Sequence, residues 1–279
     1  MNSSYEFKVV AQAGATEDVQ LDSDESTATT SIKIEPQITS ATYVANTGVL
    51  TITGTNLPTD NIDNGWNFAY LKIEGTSGSQ ALNTNNAHGD TAGSAPSATS
   101  LTITFKNTHK NNVDRRLSAN GLNNGASTPK VYNLKADAGA FIKSPTTTDA
   151  TNPITVSKIP VISSAAYDAS SGALVITGTD LPTAVAEWDL TKLKITGTGG
   201  DYTVTTTDTA GSNATATSFT ITFTGIAKTN IEVKLSKNGT TDGASPTPVT
   251  YNLAAAEGAF QKTMKAKDES GNGITVSNK

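Results

Sequence analysis

The chain is written twice over, and that duplication limits its fold more than any other feature. Ile38-Thr-Ser-Ala-Thr-Tyr43 followed by Gly48-Val-Leu-Thr-Ile-Thr-Gly54-Thr-Asn-Leu-Pro58 returns as Ile162-Ser-Ser-Ala-Ala-Tyr167 followed by Gly172-Ala-Leu-Val-Ile-Thr-Gly178-Thr-Asp-Leu-Pro182. The correspondence runs on through Leu71-Lys-Ile73 and Leu193-Lys-Ile195, and through Thr99–Phe105 and Thr217–Phe223. It closes with Tyr132-Asn-Leu134 and Tyr251-Asn-Leu253, Gly139-Ala-Phe141 and Gly258-Ala-Phe260, and Ile154–Ser157 and Ile274–Ser277. Self-similarity at a fixed period marks one structural unit built repeatedly. The 279 residues therefore divide into an acidic arm over 1–36 and two units over 37–159 and 160–279, each of a common domain size.

Within a unit the period is two. In Val49-Leu-Thr-Ile-Thr53 and Leu101-Thr-Ile-Thr-Phe105 aliphatic or aromatic residues alternate with threonine, which puts one face of a strand on a core and a row of hydroxyls on the other. Asn64-Gly65, Asn124-Gly125 and Asn272-Gly273 read as turn signals between such strands. Hydrophobic residues make up 35% and aromatics 6% of the chain, a lean supply that suits thin sandwiches better than thick α/β cores. The expected fold is all-β: two tandem immunoglobulin-like β-sandwich domains with an extended N-terminal strand arm. Val113 and Leu117 predict a short helical turn ending at Asn120-Gly121, with Gly121 as its left-handed cap; a similar turn is expected in the second copy, although Ile231-Glu-Val-Lys-Leu235 alternates like a strand.

Ten rings fall at equivalent places: Tyr43 and Tyr167, Trp66 and Trp188, Phe105 and Phe223, Tyr132 and Tyr251, Phe141 and Phe260. Each pair is expected to fill the same core pocket in its own unit. An aromatic platform for sugars would instead need two or three of them exposed together.

The opening stretch Ile162–Gly178 and the closing stretch Gly271–Asn278 resemble the tandem repeats of very large bacterial surface, adhesin-like and surface-layer proteins, over roughly residues 36–279. The resemblance implies spacing, display and cohesion at a cell surface. Departures stand beside it: two units only, no glycine-aspartate calcium nonapeptides and no obvious anchoring domain.

The arm carries the charge. Residues 1–36 hold seven acids against two bases, an excess equal to the net charge of −5, so the body is neutral. A neutral body argues against nucleic acid as a partner, since phosphate binding needs clustered Lys and Arg. Tyr5, Phe7 and Val9 alternate with Glu6 and Lys8, while Val19 with Leu21 and Ile32 with Ile34 offer two further short strands. From Tyr5 to Pro36 the arm can also be laid on the closing part of a unit, Tyr132 to Pro160, as a partial third copy. It is expected to add a strand or hairpin to a neighbouring subunit, with backbone hydrogen bonds giving affinity and alternate side chains giving specificity. Tyr5, Phe7, Val9, Val19 and Leu21 would carry that contact, and the partner would be a second copy of the chain in a head-to-tail homopolymer.

Reaction chemistry is thinly provided. No cysteine is present, so disulfides, thiol nucleophiles and Cys-based metal sites are absent. The two histidines, His88 and His109, match no motif, and Ala227 stands opposite His109, so no duplicated histidine site exists. The chain is not expected to be an enzyme, although two carboxylates converging in space would escape sequence reading. Calcium is the one candidate cofactor: Asp149 with Asn152, and Asp268 with Asn272, occupy equivalent closing segments and offer hard oxygen ligands. Asp90 with Asp208, and Asp18 with Asp22 and Asp24, are further candidates, and all of these residue types also serve ordinary turns. No apolar run reaches the length of a membrane span and residues 1–10 lack the core of a secretory leader, so a soluble chain without membrane insertion is expected. The functional expectation is a structural subunit of an extracellular filament or surface layer at a cell surface; the alternative is an adhesin-type module recognising glycans or a host or cell-surface protein.

Overall fold

The computed structural model describes residues 4–5, 32–60, 62–82, 91–92, 96–260 and 267–279. The first unit contributes strands β3 (Gln37–Val44), β4 (Val49–Thr55), β5 (Leu71–Gly75), β6 (Gly78–Ala81), β7 (Thr91–Ala92), β8 (Ser100–Thr104), β9 (Asn133–Ala136) and β10 (Asp149–Ser157). The second repeats them as β11 (Val161–Asp168), β12 (Ala173–Thr179), β13 (Leu193–Gly197), β14 (Gly200–Thr203), β15 (Thr209–Ser212), β16 (Ser218–Phe223), β17 (Asn252–Ala255) and β18 (Asp268–Ser277). A separate two-stranded sheet joins β1 (Ser4–Tyr5) to β2 (Ile32–Lys33).

Both units have the same strand order, β6-β5-β9-β10-β3-β4-β8-β7 and β14-β13-β17-β18-β11-β12-β16-β15. In each, the last strand serves both halves. Its first residues pair antiparallel with the preceding strand, as in Pro153 with Asn133, and its last four pair parallel with the first strand, as in Ile154 with Ala41. Two antiparallel layers bridged by a parallel first-to-last pairing form an immunoglobulin-like sandwich, as the alternation predicts. Even the irregularities are copied: the first hairpin slips register between Ile38 and Ser40, and again between Ile162 and Ser164.

Alternation sets the faces. Leu50, Ile52, Leu101 and Ile103 are buried in the first unit, and Leu174, Ile176, Phe219, Ile221 and Phe223 in the second, while the intervening threonines line the outer face. All ten duplicated rings are buried. Tyr132 stands just before β9 and its Oη accepts from the Ala119 N–H at 2.9 Å; Tyr251 Oη accepts from the Lys237 N–H at 3.1 Å. Each bond ties the start of that strand to the segment that follows the helix.

Four sequence expectations need correction. The expected turn in each copy is a ten-residue helix, and a single helical turn, α1 (Ile62–Gly65), takes in Asn64-Gly65. The long helices α2 (Asn107–Arg116) and α3 (Gly225–Lys234) bury Val113, and Ala227 with Ile231. Ile231 and Leu235 are buried one turn apart and Val233 is 60% exposed, so the period is helical although the letters alternate. Gly121 is not the helix cap: the helix ends at Arg116, and Gly121, at φ +99°, exchanges two hydrogen bonds with Val156. Asn272-Gly273 lies inside β18, where the Asn272 amide donates to the Leu253 carbonyl and holds the strand through its irregular register.

Each helix end backs directly onto a strand. The Arg116 carbonyl accepts from the Thr76 N–H and the Lys234 carbonyl from the Thr198 N–H. A Cβ on Gly75 or Gly197 would lie 2.3 Å from those carbonyl oxygens, so the approach requires glycine.

Candidate functional site

Of the five arm residues singled out for assembly, Tyr5 lies in β1 opposite Ile32 in an antiparallel pair. Phe7, Val9, Val19 and Leu21 lie outside the described residues, as do Asp18, Asp22, Asp24, His88 and Asp90. The arm enters the first unit through Ile34, Glu35 and Pro36. There Ile34, 37% exposed, and Pro36 line a shallow cleft with Asn56, Pro58, Phe141, Lys143 and Ser144.

The candidate calcium residues do duplicated structural work. Asp149 Oδ2 accepts from the Ile38 N–H and Asp268 Oδ2 from the Ile162 N–H, each at 2.7 Å. These bonds tie the start of the last strand to the start of the first, beside the slipped register. The Asn152 and Asn272 amides donate to the Leu134 and Leu253 carbonyls. Among the described residues no group of three or more His, Asp or Glu side chains is placed to share an ion. Asp208 accepts from the Ile226 N–H at 3.1 Å at the start of α3, and His109 is buried with its ring 5.0 Å from that of Phe105.

A buried polar cluster, unsuspected from sequence, links α2 to β3. Tyr43 Oη donates to Asp114 Oδ1 at 2.6 Å, and Lys110 Nζ donates to Asp114 Oδ2 at 2.8 Å. Burial, and then the Asp114 carboxylate, pushes the Tyr43 hydroxyl well above its ordinary range. The lysine–carboxylate pair survives in the second unit in looser form: Lys228 Nζ is 3.7 Å from a Glu232 carboxylate that is 30% exposed.

The junction between units is pinned by side chains. Lys158 turns the chain at φ +64°, and Asn120 both accepts from the Ile159 N–H and donates to its carbonyl. Lys158 Nζ meets Asp180 Oδ1 at 2.8 Å, and Arg115 Nη2 meets Glu257 Oε1 at 3.1 Å across the two units. The second unit ends with the same geometry: Asn278 has φ +57° and Asn238 accepts from the Lys279 N–H at 2.9 Å.

Near that end, Asp168 holds β18 to the first hairpin of its unit. Its Oδ1 accepts from the Ser170 hydroxyl at 2.7 Å and from the Asn278 amide at 3.0 Å, and these bonds lower its pKa to about 2. A carboxylate depressed on folding stabilises fully above its ordinary value and loses that contribution as the pH falls through the folded one. The second unit should therefore weaken between pH 4 and pH 2. Carboxyl NMR is expected to find a midpoint near 2 for Asp168, moving upward in Asn278→Ala; a midpoint at the ordinary aspartate value would refute the assignment.

The chain matches no protein-family model and no curated protein. Among solved structures it is similar to the full extracellular region of plexin A4, at 9% identity over 88% of this chain and 16% of that chain, with a TM-score of 0.24. It thus spans 16% of the plexin chain's length. It is also similar to a chimeric titin Z1Z2, at 12% identity over 87% of this chain and 95% of that chain, with a TM-score of 0.20. A third similarity is to the N-terminal Ig1-2 module of the Drosophila receptor protein tyrosine phosphatase DLAR, at 8% identity over 86% and 96% of the two chains, with a TM-score of 0.18.

Proposed function

We propose that the chain is a structural subunit of an extracellular filament or surface layer, joined head to tail through residues 1–36. The observation that carries this reading is the two-stranded sheet of the arm, in which Ser4 and Tyr5 pair with Lys33 and Ile32 and neither strand joins an eight-stranded sheet. A two-stranded ribbon is marginal alone in water and gains from a third strand. Its antiparallel pairing has the connectivity of β9 with β10 and of β17 with β18, which agrees with the arm's likeness to the closing part of a unit. Each sandwich offers strand edges at β6 and β7 or at β14 and β15, and a heterologous contact that does not close builds a fibre.

The rival, a module binding glycans or a cell-surface protein, would draw on exposed rings. Among the residues whose burial is described Tyr70 is the one exposed aromatic, at 44%, which leaves no platform of two or three rings there. No helix among the described residues is long and apolar enough to cross a membrane.

Removing residues 1–33 should leave folded monomers with unchanged melting of both units and no fibres or lattices by electron microscopy. Assemblies that persist after this truncation would defeat the reading.

A further inference from the structure

Asn120 stands between two fixed points. The Ala119 N–H before it donates to Tyr132 Oη, and Gly121 after it exchanges two hydrogen bonds with Val156 of the last strand. Held from both sides, its amide reaches the residue that leaves the unit: Oδ1 accepts from the Ile159 N–H at 3.0 Å, and Nδ2 donates to the Ile159 carbonyl at 3.1 Å. The second unit builds the same frame around its own exit. There the Lys237 N–H donates to Tyr251 Oη, Gly239 exchanges two bonds with Val276, and Asn238 Oδ1 accepts from the Lys279 N–H at 2.9 Å.

Few soft torsions remain between the units. β10 pairs with β3 as far as Ser157, and Asn120 extends the grip of the first unit to Ile159. The grip of the second unit begins at Val161, opposite Thr179, and continues at Ile162, whose N–H donates to Asp268 Oδ2 at 2.7 Å. Pro160, itself buried, is the single residue between the two grips. Its ring fixes its own φ and keeps Ile159 extended. Of the two soft dihedrals that each residue brings, the ψ of Pro160 is the main one left. Without the Asn120 side chain the loose stretch would run from Lys158 to Pro160, and Lys158 has φ +64°, a conformation that a lysine seldom adopts unless held.

The two ion pairs across the joint weigh less. Lys158 with Asp180 and Arg115 with Glu257 join partly exposed side chains, where solvent and salt both screen the attraction. The Asn120 bonds instead satisfy the backbone N–H and carbonyl of a residue only 5% exposed, groups that burial obliges to find partners.

We infer that Asn120 is a latch that makes the two units one stiff body, with the ion pairs as secondary contacts. The latch acts within one chain, whether or not copies assemble.

Residual dipolar couplings of the full chain test this. Both wild-type units should report one shared alignment tensor, at low salt and again at about 1 M salt, where the screening length is about 3 Å. Arg115→Ala should keep that single tensor. Asn120→Ala should lose it and give two, matching a reference chain with two glycines inserted after Pro160. Asn120→Asp keeps the acceptor for the Ile159 N–H but sets a carboxylate against its carbonyl, and it should lose the shared tensor as well while both units keep dispersed amide shifts. A single tensor in either folded Asn120 variant overturns the proposal, as do two tensors in the wild type. Loss of the shared tensor in salt or in Arg115→Ala also overturns it, by assigning the joint to the ion pairs.

Discussion

Asp114→Ala is expected to lower the stability of the first unit by about 3–5 kcal/mol and to leave the second almost untouched. The cost arises from what remains behind. Lys110 is 7% exposed and would keep its charge in the core without its i,i+4 partner, and the Tyr43 hydroxyl would lose its 2.6 Å acceptor. The corresponding change in the second unit, Glu232→Ala, should cost about 0–1 kcal/mol, because both partners there are about a third exposed and solvent screens them. Calorimetry on the intact chain checks this: one transition should move sharply down in Asp114→Ala, and neither should move far in Glu232→Ala. Equal shifts in the two variants would show that the buried cluster has no special weight.

Trp188→Ala should cost the second unit a comparable amount, about 3–5 kcal/mol. The indole is 4% exposed and stacked on Phe219 with ring centroids 4.2 Å apart and planes 11° from parallel. It also packs against Phe260, with ring centroids 5.4 Å apart and planes at 68°, and Nε1 donates to the Pro182 carbonyl at 3.2 Å. Removing it opens a void between two rings and strands a buried acceptor, two separate penalties. Urea unfolding should show a lower midpoint with an unchanged slope. Trp188→Phe, which retains most of the volume, should recover part of the loss, and a midpoint that does not move in Trp188→Ala would contradict the packing described.

Much of the sandwich is legible in the sequence because its signals are local. Leu50-Thr-Ile52 and Phe219-Thr-Ile221 carry their own period, and duplication lets each unit check the other. The helices are harder to see. Ile231, Val233 and Leu235 alternate as letters, and only the burial of α3 against its sheet shows that the first and third point inward while the second faces out. Asn272-Gly273 misleads for a related reason: an asparagine that would cap a turn in isolation caps a strand carbonyl here, because β17 lies alongside. The Lys110–Asp114–Tyr43 cluster joins positions 71 residues apart, and no spacing rule reaches that far. The 2.7 Å bonds of Asp149 and Asp268 to backbone N–H groups join strands more than 100 residues apart, which no local spacing could show. The exposure of Ile226 and Val233 on one face of α3 likewise required knowing which way a helix turns.

The side-by-side, same-direction pairing of first and last strands decides how such a unit bears load. When the two ends of a unit are drawn apart, the strands beginning at Gln37 and ending at Ser157 slide lengthwise past each other, so the bonds along Ala41–Val44 and Ile154–Ser157 resist together. An antiparallel terminal pair would instead peel open one bond at a time. The second unit has the same parallel ladder from Ala165 to Asp168, so tension along the chain meets two such clasps in series.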